Sequence, residues 1–178
     1  NPVYFDDARS ETYVHIIYAY QRLPDHVKTV AGRVPLDGNL RVTALALNYS
    51  INDRLNLVAA KDGYIDCNPD YTNEDGDGWA DVAGGVKYAF ILNPAHEFIL
   101  SGKLLVELSQ GSRDVLQGNG SGNLAPSLTF LKGAGTKWQF SGMLGGIFPF
   151  NNHEESTLMF DSWHVSYAVT PKLFPLIE

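Results

Sequence analysis

The sequence contains no stretch approaching the roughly 20 consecutive apolar residues that a membrane-crossing helix requires. Its longest apolar runs are short pieces such as residues 16–20, so a helical membrane protein is excluded. Cysteine is nearly missing. Cys67 alone can close no disulfide within the chain and build no thiolate metal cluster. Positive charge is scarce as well: 13 Lys and Arg stand against 20 Asp and Glu, a net charge of -7. The basic residues are scattered rather than gathered into a phosphate-neutralising patch, which argues against nucleic acid as a partner. The opening residues Asn-Pro-Val-Tyr-Phe lack an initiator Met and the basic and apolar segments of a secretory leader, as expected of a processed polypeptide.

Apolar residues are plentiful by contrast. Of 178 residues 44% are hydrophobic and 12% aromatic, enough for one domain with a large buried or lipid-covered surface. They are arranged with a period of two. Over residues 98–109, Phe98, Leu100, Gly102, Leu104, Val106 and Leu108 occupy one face. Ser101, Lys103, Glu107 and Ser109 share the other with Ile99 and Leu105. A helix would not place the Leu and Phe residues at strict intervals of two, so the segment is a strand with one apolar side. The same alternation recurs at 12–21, 40–50, 80–90, 137–148 and 158–169, and less regularly at 55–64 and 123–131. That makes about eight complete strands.

Ten or eleven residues at about 3.3 Å each, tilted by about 40°, rise roughly 25 to 28 Å, the height of the apolar band of an outer-membrane barrel. Strands of soluble sheets are usually about half as long. The connections alternate too. Short links at 51–54, 92–96, 132–136 and 170–172 carry turn residues, and longer ones fall between them at 22–39, 66–79, 110–122 and 149–157. Tyr18, Tyr20, Tyr49, Tyr64, Trp79, Tyr88, Phe90, Trp138, Phe148 and Tyr167 sit near strand ends, as aromatic girdles at the two headgroup layers would. The expected fold is all-β: an antiparallel up-and-down transmembrane barrel over residues 12–178, preceded by a periplasmic-side arm at 1–11. After a Thr-Pro-Lys turn, Leu173, Phe174, Leu176 and Ile177 read as the start of a ninth strand. The expectation is therefore a C-terminally incomplete, larger barrel in which the first strand does not meet the eighth.

Three segments carry a resemblance: NDRLNLVAAKDGY at 52–64, DGWADVAGGVKYAF at 77–90 and GNGSGNLAPSLTF at 118–130. They resemble a family of porin-like, transporter-like outer-membrane barrels associated with the MetA pathway of phenol degradation. The closing SYAVTPKLFPLIE, residues 166–178, is similar to an internal hairpin of that family. The resemblance implies a bacterial outer-membrane pore or transporter for small solutes, with an even strand number of about 12.

In this phase Lys87, Lys103, Glu107, Gln139 and His164 point inward and are candidates for lining the lumen. Asp161 would face lipid, so it must lie near the outer rim or mark a register error. In NEDGDGWAD, Asn73, Asp75, Asp77 and Asp81 hold the first half of a calcium-loop spacing with Gly78 at the sixth place. Gly84 stands where the bidentate Glu belongs, so a solvated acidic turn is the favoured reading and a loop-bound calcium the alternative. No other cofactor is expected.

No enzyme is expected either. His164 shares a face with Ser162 and Ser166, without an evident acidic orienter or oxyanion donor. His15, His26, His96 and His153 lack zinc-ligand spacing. The expected partners are outer-membrane lipid and small solutes, with room for a homo- or hetero-oligomer. Two other readings remain open: a non-conducting barrel that anchors a surface or membrane assembly, and a soluble ligand-binding barrel or sandwich.

Overall fold

Alternating side chains become extended backbone wherever one face can be covered differently from the other, and the computed structural model places its strands accordingly. It describes residues 6–30, 32–70, 76–115, 117–153, 155–170 and 172–177. In chain order the strands are β1 (Tyr13–Arg22), β2 (His26–Thr29), β3 (Gly32–Pro35), β4 (Asn39–Ser50), β5 (Leu55–Asn68) and β6 (Gly76–Trp79). They continue as β7 (Val82–Asn93), β8 (Phe98–Leu108), β9 (Asn123–Ala134), β10 (Trp138–Pro149), β11 (Leu158–Tyr167) and β12 (Leu176–Ile177). The eight long strands fall where the period of two predicts them. No helix among the described residues is long and apolar enough to cross a membrane.

One antiparallel sheet runs in the order β1-β4-β5-β7-β8-β9-β10-β11-β12, with β6 folded back on β5. Among the described residues β1 pairs only with β4, and β11 only with β10 and β12, so the sheet is not closed. The expected gap between the first and eighth long strands is present. The short links turn on side-chain oxygens. Asn52 Oδ1 accepts from the amides of Arg54 and Leu55, both at 2.9 Å, and Asn93 Oδ1 caps the 3-10 turn Pro94–His96 through the His96 amide at 3.2 Å.

Three details differ from the sequence reading. The link at 22–39 contains the β2–β3 hairpin, with Val27 opposite Val34. The acidic link contains β6, although its Asp77 lies directly opposite Asp66, a like-charge pair that disfavours strand pairing. It forms because each carboxylate has its own partner: the Tyr64 hydroxyl donates to Asp77 and Arg41 lies 3.6 Å from Asp66. The irregular alternation at 55–64 comes from a bulge. Leu45 pairs with Asp62 but Leu47 with Ala59, so β5 carries one extra residue and its phase inverts midway. Leu57 before the bulge and Tyr64 after it are both exposed.

The sheet has two unlike faces. One exposes Val86, Tyr88, Leu104, Val106, Leu108, Leu128, Trp138, Leu144 and Trp163. The other, here the inner face, buries Asn48, Asn56, Lys87, Ser101, Ser127, Thr129 and Ser141. The largest fully buried side chains of the described chain are Asn48, Asn56 and Ser101, all polar.

Candidate functional site

The strand register lines up one row across the inner face. Ser50 lies opposite Asn56, Asn56 opposite Lys87, Lys87 opposite Lys103, and Lys103 opposite Ser127. Two ammonium groups thus face each other on adjacent strands, which is unfavourable unless an anion lies between them. The segment at 6–12 supplies one. It leaves β1 at the short-turn end and crosses the inner face, where Asp6 Oδ2 lies 3.1 Å from Lys103 Nζ and Asp6 Oδ1 lies 3.9 Å from Lys87 Nζ. Lys87 Nζ also donates to the Asp7 carbonyl at 2.9 Å.

Further bonds fasten the segment residue by residue. Ser101 Oγ donates to the Ala8 carbonyl at 2.5 Å. The Arg9 guanidinium donates to Gln139 Oε1 at 2.8 Å and pairs with Asp7 at 3.0 Å. The one Ser10 hydroxyl proton is shared between the Asn52 carbonyl at 2.8 Å and Asn56 Oδ1, while Asn48 and Asn56 both donate to the Glu11 carbonyl. Ala8 is almost completely buried, its small side chain letting the backbone lie close on the sheet. A cleft of about 430 Å³ remains beside the segment at the short-turn end, lined in part by Arg9, Ile99, Leu131, Gln139, Ser166 and Phe174.

The opposite end is covered by loop residues 110–115 and 117–118. Asp81 Oδ1 accepts from the amides of Gly111 and Gly118 at 2.8 and 2.9 Å, and the Asp81 amide donates to Gln117 Oε1 at 3.3 Å. Ser112 bonds the backbone of Trp79 in both directions. A side chain at Gly78 would lie 2.3 Å from Ser112, so only glycine lets the loop settle here.

Of the five candidates for the lumen, Lys87, Lys103 and Gln139 are brought together around the 6–11 segment. Glu107 and His164 share their inner face further away, Glu107 opposite Ala83 and Asn123, and His164 opposite the buried Ser141. Asp161 is exposed on the outer face opposite Leu144, three residues from the start of β11, and accepts from Trp163 Nε1 at 2.8 Å. It therefore lies toward the long-loop rim, without a register error.

Of the calcium-like spacing, Asn73 and Asp75 lie outside the described residues. Asp77 accepts from Tyr64 on the outer side, whereas buried Asp81 is occupied by the loop amides. Among the described residues no group of three or more His, Cys, Asp or Glu is placed to hold a metal. Sequence reasoning missed Asp6, Arg9 and Ser10, which belong to no periodic segment. The one available signal was that Lys87 and Lys103, paired in register, require a counter-ion from elsewhere.

No curated protein and no solved structure matches the chain. Residues 17–176, nearly the whole sheet, match the family described as putative MetA-pathway of phenol degradation. With so much of its length matched, the chain belongs to that family.

Proposed function

We propose that this chain forms the sheet of a bacterial outer-membrane barrel that passes small solutes, with lipid against its apolar face and the solute path along its polar one. The observation that carries this reading is the reversal of burial. Exposing Leu104, Val106, Leu128, Leu144 and Trp163 while burying Lys87, Asn48, Asn56 and Ser101 inverts what water favours. In hydrocarbon it is the low-energy arrangement, because strand backbones are satisfied by their neighbours and the outward side chains match the solvent. The family's description points to phenol degradation, so small aromatic solutes are the first to try. In this reading His164, Ser162 and Ser166 line the path and act on no substrate.

The test is extraction and conductance. The chain is expected to need detergent, to migrate faster on gels before boiling than after, and to give discrete current steps in planar bilayers. A monodisperse species in buffer without detergent sinks the membrane reading. One observation favours a second reading: the 6–11 segment fills the inner face beside Lys87 and Lys103, as in a plugged barrel that serves as an anchor. A folded, lipid-inserted chain without current steps supports the anchor over the pore. Its size in detergent tells whether copies associate.

A further inference from the structure

Lys87 and Lys103 oppose each other across β7 and β8, and the Lys87 side chain is only 3% exposed. An unpaired ammonium at such a place is costly, and two side by side are costlier. The strands nevertheless build this pair and aim a third donor at the same point. Tyr13 stands on the inner side of β1 opposite Asn48, with the Asp6 carboxylate acting on its phenol. Two ammonium groups and a phenol, all from strands, thus converge on one carboxylate. That carboxylate belongs to no strand. It is carried by a short segment held to the sheet by hydrogen bonds at Ala8, Arg9, Ser10 and Glu11.

Residues 6–11 carry three carboxylates, on Asp6, Asp7 and Glu11, and one guanidinium, on Arg9. The segment's charge of -2 therefore matches the +2 of the lysine pair. The lysine pair itself touches the segment only through the Asp6 carboxylate and the Asp7 carbonyl.

We propose that Lys87, Lys103 and Tyr13 form a binding site for small organic carboxylates inside the barrel, and that Asp6 is its built-in occupant, displaced when a free carboxylate arrives. The proposal rests on the pore reading only for how the solute reaches the site. A tethered ligand competes at an effective concentration in the millimolar range, so the resting site is masked from dilute anions and opens to concentrated ones. Displacing Asp6 also loosens the segment that covers the inner face, which couples solute arrival to clearance of the path.

The experiment uses the full chain in detergent micelles and measures benzoate binding by equilibrium dialysis. Asp6→Asn should raise the apparent benzoate affinity by at least about tenfold, since it removes the tethered competitor. Adding Lys103→Gln to Asp6→Asn should abolish the gain, and adding Tyr13→Phe should reduce it. Unchanged binding in Asp6→Asn, or binding that survives Lys103→Gln, overturns the proposal.

A second measurement on the unmutated chain does not depend on any variant folding. Excess benzoate should speed tryptic cleavage after Arg9, and neutral benzamide should not. Equal cleavage with both, or with neither, also overturns it. Benzoate binding in a chain that carries no current keeps the site and sinks the pore. Current without any benzoate effect keeps the pore and sinks the site.

Discussion

Lys103 and Leu104 are neighbours in β8 and point into different surroundings. Lys103 reaches inward to Asp6 at 3.1 Å, while Leu104 points outward and is 41% exposed. The contrast repeats across β7, β9 and β10, where Lys87, Thr129 and Ser141 are buried and Val86, Leu128 and Phe140 are exposed. In a soluble sheet the apolar face would find the core. Here the polar face is packed by a peptide segment, and among the described residues nothing packs the apolar face, which leaves its covering to the surroundings.

The largest expected effect breaks the outer face. Leu104→Arg should cost about 2–4 kcal/mol if the residue lies at mid-bilayer, read from urea unfolding in lipid vesicles. A neutral result there would remove the lipid from the comparison. Arginine on the inner side of the same strand should act differently. Ser101 is fully buried beneath Ala8, so Ser101→Arg should expel the 6–11 segment and expose Arg9 to trypsin while heat-modifiable migration persists.

Next in size is the inner face itself. Asp6→Asn leaves two opposed ammonium groups without their anion and should cost about 2–3 kcal/mol, part of which a second change, Lys103→Met, should restore. An additive double-mutant cycle would show that Asp6 and Lys103 do not interact. Asp81→Ala removes the acceptor of two loop amides and should weaken the 110–118 loop by about 1–2 kcal/mol, seen as faster hydrogen exchange at Gly111 and Gly118. The smallest effect sharpens where the lipid ends. Asp161 sits on the outer face three residues into β11, which in the proposed outer-membrane barrel is roughly 8 Å along the axis and near an interface where charge costs little. Asp161→Leu should therefore stabilise the sheet by at most about 1 kcal/mol in vesicles, and a larger gain would place the bilayer edge further out.

The long strands and their two faces were legible in advance because a strand alternates its side chains whatever surrounds it. The phase read at Leu104 and Lys103 is the phase observed. Tyr64 was harder, since a one-residue bulge on β5 inverts the alternation and no local feature of residues 59–62 announces it. The β2–β3 hairpin and β6 escaped because strands of four residues carry too little periodic signal, and in β6 the Asp77–Asp66 pairing argues against a strand until Tyr64 and Arg41 are seen beside them.

By itself, then, the sequence determined the long strands, their antiparallel order and the sidedness of the sheet, all properties of local geometry and of neighbours in the chain. Only the tertiary structure decided that Lys87 and Lys103 stand in one row, that Asp6 lies between them, and that Asp81 serves a loop from the other side of β8. Those contacts join residues far apart in the chain, and register, set by turns and one-residue bulges, decides which of many possible partners meet.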